Sequence, residues 1–209
     1  MKGLEDVLLI KPDLHEDERG YFYEVFNERE FNEKTNNKYD FHVLQENESK
    51  SKAGVFRGLH FQNPPYEQAK LVRVLKGSVI DFAVDIRKDS PTFGKAVLAL
   101  LTEENKYQFS IPRGFAHGFY VTCPKVNYLD GTVDKAETIF EYKCDNYYNK
   151  ESEDGIVWND KNVELINTTD NELYSCRNIE DFLVLSATTI GPVVLSEKDK
   201  NRIKTLKDL

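Results

Sequence analysis

Between Leu8 and Trp158 the chain is a succession of short runs rich in Val, Ile, Phe and Tyr, broken by turn-forming stretches such as Lys76-Gly77, Pro112-Arg113-Gly114 and Asp130-Gly131. Such spacing of β-branched and aromatic residues predicts an all-β sandwich or barrel. Only two places read as helix starts. Asn27 stands three residues before Glu30, and Ser196 three before Asp199, each with the polar residue and carboxylate that cap a first turn. The stretches Pro124 to Glu137 and Asn167 to Asn178 are polar and aperiodic, and read as long surface loops.

The alternation is cleanest from Lys70 to Arg87. With Lys76 and Gly77 as a two-residue hairpin loop, Leu75 faces Ser78, Val72 faces Asp81 and Lys70 faces Ala83. One face then carries Lys70, Val72, Val74, Val79, Asp81, Ala83 and Asp85. The other carries Leu71, Leu75, Ile80, Phe82, Val84 and Ile86, an apolar stripe that belongs to the core. Lys70 thus falls diagonally close to Asp81 and Asp85. On a solvent-facing sheet this is a weak cross-strand ion pair; lining a barrel interior, it is a positioned cation in a partly dry pocket.

Composition narrows the classes. The 209 residues are 40% hydrophobic and 12% aromatic, enough to build a folded core, and no repeat or linker divides them, so one domain spanning 1–209 is expected. Lys and Arg number 28 against 36 Asp and Glu, a net charge of -8. That balance disfavours nucleic acid and anionic membranes as partners, because phosphate surfaces are bound through excess Lys and Arg. Any anion must be met by local cations. The three cysteines form no C-x-x-C pair, and the first ten residues lack a secretory apolar run, so a reducing, cytoplasmic setting is expected.

Four histidines are present. His15 and His42 stand among charged or strand-like residues and read as structural. His60 lies in Arg57-Gly58-Leu59-His60-Phe61-Gln62 and His117 in Gly114-Phe115-Ala116-His117-Gly118-Phe119, where glycine invites a bulge or a close approach of ligand. A metal site fails on spacing, since neither His-x-His nor a Glu a few residues after either His is present. Tyr142 shares a strand face with Phe140 and Cys144. On residues alone it is either an amphipathic core-edge side chain or a proton donor to a pocket. Asp199 reads equally as the capping-box carboxylate of the helix that starts at Ser196.

Eight motifs, in order, resemble one family. They are Asp17-Glu18-Arg19-Gly20; Arg57 to Gln62; Gln68-x-Lys70-Leu71-Val72-Arg73-Val74; Val84-Asp85-Ile86-Arg87 followed by Ser90-Pro91-Thr92-Phe93-Gly94; Ile111-Pro112-x-Gly114 to Phe119; Tyr142-Lys143-Cys144 with Tyr147-Tyr148; Trp158-Asn159-Asp160; and Leu195-Ser196-x-Lys198-Asp199. This series resembles the dTDP-4-dehydrorhamnose 3,5-epimerase family. The resemblance implies a cupin-type double-stranded β-helix (jelly roll) with a few short helices, a homodimer, and cofactor-free epimerisation of a nucleotide-diphosphate 4-keto sugar. It further implies His60 as general base with Asp199 as its partner, Tyr142 as the acid on the opposite face, and Lys70 as the cation steadying the enolate. Arg19, Gln45, Asn47 and Arg57 fall where the family holds the pyrophosphate and its surroundings, with His117, Tyr148 and Lys198 also at the site. The chain departs from the family pattern in a longer segment at Cys123–Glu137 and in the atypical residues 166–191. Within the class, a single-carbon epimerase or one acting on another nucleotide sugar, such as a GDP-heptose, is the alternative. From other classes come a non-catalytic sugar-nucleotide-binding barrel and a metal-dependent cupin.

Overall fold

The structure is a computed structural model and describes residues 4–35, 40–122, 125–126, 133–134, 137–166, 176–190 and 192–209. The N-terminal half contains β1 (Leu8–Ile10), β2 (His15–Asp17), β3 (Gly20–Phe22), α1 (Glu28–Lys34), β4 (Gln45–Lys52), β5 (Phe56–Gln62), β6 (Lys70–Lys76), β7 (Ser78–Asp85) and β8 (Lys95–Thr102). There follow β9 (Gln108–Ile111), β10 (Phe115–Val121), β11 (Lys125–Val126), β12 (Val133–Asp134), β13 (Glu137–Cys144), β14 (Glu153–Gly155), β15 (Glu164–Leu165), α2 (Ile179–Ile190) and α3 (Glu197–Lys200). A five-stranded sheet in the order β1-β9-β6-β13-β4 faces a six-stranded sheet in the order β14-β5-β10-β7-β8-β15, as in a jelly roll.

Period-two alternation sorts the side chains into layers. Val72, Val74, Val79, Ala83, Phe109, Phe119 and Phe140 point between the sheets and form the inner core. Ile80, Phe82 and Val84 point the other way and pack with Phe56, Leu59, Ile179, Phe182 and Leu183. Strand β7 is therefore buried on both faces, and Phe82 meets Phe182 of α2 at 5.8 Å between ring centroids. Burying one such ring contributes about 1.5–3 kcal/mol. On the outer face of the five-stranded sheet, Leu71 packs with Phe31 and Phe41 beneath α1.

Three expectations change. The Lys70–Arg87 segment is not a hairpin: β6 pairs with β9 and β13, whereas β7 pairs with β8 and β10, so the chain crosses from one sheet to the other at Gly77. The sorting of residues by face survives because alternation is a property of each strand alone, but the apolar set is split between the outer faces of two sheets, with Leu71 beneath α1 and Ile80, Phe82 and Val84 against α2; Lys70 and Asp81 stand on opposite sheets, and Asp85 is paired with Arg87. The stretch Pro124 to Glu137 is not all loop, since β11 pairs with β12; the Asp130-Gly131 turn lies outside the described residues. Helix α2 was not expected. Asn178 caps it, its side chain accepting the Asp181 amide at 2.9 Å, and Ile179, Phe182 and Leu183 are its buried stripe. Residues 167–175 of the second expected loop lie outside the described residues.

Candidate active site

The cavity opens between the two sheets, with a volume of about 440 Å³, and its lining includes His60, Lys70, His117, Tyr142 and Asp199. Close backbone packing sets the two histidines side by side. Gly58 has φ +129°, and a Cβ there would sit 2.5 Å from the Gly118 Cα. Two strands can approach this closely only where both residues lack side chains. The ladder is bulged between His117 and Phe119, and His60 and His117 are direct partners across β5 and β10.

His60 Nε2 lies 2.6 Å from Asp199 Oδ1. The two readings of Asp199 turn out to be the same structure. Ser196 Oγ accepts the Asp199 amide at 3.1 Å and donates to Asp199 Oδ2 at 2.8 Å, so the helix cap aims the other oxygen at the histidine. Burial would raise the Asp199 pKa, but the His60 hydrogen bond and charge, with Ser196 and Arg202, hold it below the ordinary carboxylate range. With Nε2–H donated to Asp199, the lone pair of His60 resides on Nδ1.

On the facing sheet, Tyr142 and Lys70 come from β13 and β6, and Lys70 Nζ stands 5.9 Å from the Tyr142 ring centroid. Burial, with Cys144 and Glu153, pushes the Tyr142 phenol upward against the pull of Arg57, which keeps it protonated. Burial also lowers the Lys70 pKa, opposed by Cys144, Asp81 and Glu153. Asp81 is 0% exposed, and His117 Nε2 lies 3.0 Å from its carboxylate. Burial pushes His117 down, so a neutral imidazole donates to Asp81.

Arg57 lines the same cavity, with Nε donating to Ser51 Oγ at 3.0 Å. The remaining expected residues are arranged differently. Asn47 is the ladder partner of Tyr142, and Gln45 Nε2 donates to Asn47 Oδ1 at 2.9 Å. The Tyr148 amide donates to Gln45 Oε1, its hydroxyl to Glu153 Oε2 at 2.7 Å, and Lys198 Nζ reaches Glu153 Oε1 at 2.5 Å. These four form a polar network beside the cavity rather than part of its lining. Arg19 is not brought to the cavity: it sits at the β2–β3 turn, paired with Asp17, with 85% of its side chain exposed. Ser49 and Glu153 were missed. Ser49 lines the cavity with a buried Oγ lacking a hydrogen-bond partner, and it continues the every-second-residue row Gln45, Asn47, Ser49, Ser51, a polar alternation visible in the sequence. Among the described residues, no three His, Cys, Asp or Glu side chains converge to hold a metal ion. No helix among the described residues is long and apolar enough to cross a membrane.

A family model described as dTDP-4-dehydrorhamnose 3,5-epimerase matches residues 2–208. A Shigella flexneri protein named dTDP-4-dehydrorhamnose 3,5-epimerase is 48% identical over 176 residues, covering 84% of this chain and 90% of that one. The crystal structure of the Elizabethkingia anophelis dTDP-4-dehydrorhamnose 3,5-epimerase aligns with a TM-score of 0.73 at 42% identity, over 100% of this chain and 95% of that one. That of a Legionella pneumophila dTDP-6-deoxy-D-glucose-3,5-epimerase in complex with dTDP-4-keto-L-rhamnose aligns with a TM-score of 0.74 at 38% identity, over 99% and 90%.

Proposed function

Because the chain belongs to the dTDP-4-dehydrorhamnose 3,5-epimerase family and is an isomerase, we propose that it converts dTDP-4-dehydro-6-deoxy-glucose to dTDP-4-dehydro-rhamnose, with His60 and Tyr142 moving the protons. The observation that carries this reading is the opposition of the two groups: His60 projects from the six-stranded sheet and Tyr142 from the five-stranded sheet into one cavity. Inverting a carbon beside a ketone requires removal of a proton from one face and delivery of a proton to the other.

His60 takes the proton from C3 or C5 of the sugar, becoming an imidazolium that Asp199 stabilises and orients. The electron pair moves to the C4 oxygen as an enolate, where the Lys70 ammonium meets the charge. Tyr142 then protonates the same carbon from the opposite face. Solvent removes the proton from His60 and restores that of Tyr142 before the second carbon is turned over. Each positioned proton transfer is worth about 10²- to 10⁴-fold.

Arg57 is assigned to the pyrophosphate, and Gln45, Asn47, His117, Tyr148 and Lys198 to the sugar nucleotide, since a chain of net charge -8 needs local cations and donors to hold a diphosphate. A homodimer is supported by Tyr21 and Phe22, which are 55% and 72% exposed on the β2–β3 arm that carries Arg19, a surface a second copy would cover. The cytoplasm is the assigned compartment, supported by the buried, unpaired thiols of Cys144 and Cys176.

The test is His60→Ala. Solvent deuterium should cease to enter the sugar at both carbons while the melting temperature stays within a few degrees of wild type. Wild-type exchange in this variant would remove His60 as the base.

A further inference from the structure

Beside the His60–Asp199 pair, and outside the lining of the cavity, lies a largely buried cation that the mechanism above does not use. The Arg202 side chain is 10% exposed, and its Nε has no hydrogen-bond partner. Its space is made by Gly155, the ladder partner of His60 on β14. A Cβ at Gly155 would fall 2.6 Å from Arg202 Nη1 and 2.8 Å from Cζ, so the guanidinium packs directly against that glycine.

Two carboxylates face it at equal range, Asp199 Oδ1 from Nη2 and Asp154 Oδ1 from Nη1, each at 3.9 Å. They are not equivalent. Asp154 is already met by Lys204 Nζ at 2.5 Å and by the Gly155 amide at 2.8 Å. Asp199 Oδ1 has His60 Nε2 on one side and Arg202 on the other. A guanidinium whose purpose was to tie α3 to β14 would close onto a carboxylate at hydrogen-bond distance. This one stays farther away, leaves a donor unsatisfied and is nevertheless buried, an arrangement that costs stability. What it supplies is positive charge beside the carboxylate, acting across a low-dielectric gap.

We propose that Arg202 is a positioning residue for the epimerase reaction: seated on Gly155, it holds the Asp199 carboxylate in place against His60. The inference rests on the reading of His60 as the base. Desolvation of Asp199 works in the same direction as losing Arg202, since both favour the neutral acid, which cannot orient or stabilise an imidazolium.

The experiment compares wild type, Arg202→Met, Arg202→Lys, Asp199→Asn, the double variant Asp199→Asn/Arg202→Met and, as control, His60→Ala. For each, kcat and KM on dTDP-4-keto-6-deoxyglucose, deuterium incorporation in D₂O and melting temperature are measured. Arg202→Met should lower kcat about tenfold, the scale of loss from a small displacement of a catalytic group, with KM nearly unchanged. Arg202→Lys should recover most of that loss. In the Asp199→Asn background, Arg202→Met should cause no further loss of kcat, because the two residues act through one hydrogen bond. An equal loss in both backgrounds overturns the proposal. So does a fall in melting temperature with kcat unchanged, which would make Arg202 a structural tie only. Should Arg202→Met not fold, Arg202→Gln takes its place in the same comparison. Wild-type exchange by His60→Ala would overturn the base assignment and this inference together, whereas an inactive His60→Ala with additive Arg202 losses would overturn this inference alone.

Discussion

Lys70→Met separates stabilisation of the enolate from binding of the sugar. Methionine keeps an unbranched side chain at this ladder partner of Cys144, whose end stands near the Tyr142 ring, so the cavity retains its shape and loses its charge. In the bound ketone, the ammonium meets a neutral carbonyl oxygen, and in a cavity open to solvent such a hydrogen bond contributes about 1.5 kcal/mol net, the low end for a bond with one charged partner. In the enolate that oxygen carries a charge. A cation about 4 Å from it at an effective dielectric of about 20 is worth roughly 4 kcal/mol. The cavity is open to solvent at one end, which moderates the figure, and removal of one preorganised donor from such sites costs about 10²- to 10³-fold in kcat. Lys70→Met should therefore lower kcat by about 10²- to 10³-fold and weaken binding of the sugar nucleotide by about tenfold or less. Single-turnover rates by NMR give the first quantity and isothermal titration with dTDP-rhamnose gives the second. Asp81 loses the Lys70 charge that opposes the effect of its burial, so the melting temperature is recorded alongside. Affinity falling 10²-fold with single-turnover rate unchanged would refute the enolate role and make Lys70 a binding residue.

Tyr142→Phe should keep the base and lose the acid, so deuterium still enters beside the ketone at a reduced rate while inverted product falls much further; equal loss of both, read by proton NMR in D₂O, would place the tyrosine in enolate formation as well. Asp85 is the corresponding test of the scaffold: burial raises its pKa, but Arg87, Ser90 and Thr92 bring it below the ordinary range, so it contributes stability above about pH 3.9 that is lost as pH falls through the depressed value. Asp85→Asn should cost about 3–5 kcal/mol in urea unfolding at pH 7, as expected for breaking a buried pair, and should flatten the acid limb of stability below pH 4; an unchanged acid limb would locate the pH sensitivity elsewhere.

Much of this site was legible because each clue was local. The alternation of Lys70, Val72, Val79 and Asp81 put these residues on one face, leaving open whether that face met solvent or an interior, and the Ser196–Asp199 spacing identified the cap that aims the carboxylate. The pairing of strands was less legible. A turn dipeptide at Lys76-Gly77 is compatible with a hairpin or with a crossing between sheets, and the choice depends on β9 and β13, which lie far along the chain. Helix α2 escaped for a different reason. Its cap, Asn178 with Glu180 and Asp181 in the first turn, and its stripe Ile179, Phe182, Leu183 were readable, but they sit within an atypical segment whose polar beginning masks the period. Arg19 was named through a motif, and its exposed place on the β2–β3 arm follows from tertiary arrangement that no local pattern encodes.

The central claim is that two proton-transfer groups on opposite walls of one cavity invert both carbons flanking the ketone. Wild-type protein incubated with dTDP-4-keto-6-deoxyglucose in D₂O, followed by proton NMR, tests it directly. The account predicts that deuterium enters at both C3 and C5 and that a product inverted at both centres accumulates. Exchange and inversion confined to one carbon would contradict the 3,5-epimerase reading, and absence of exchange at either carbon would contradict the epimerase chemistry itself.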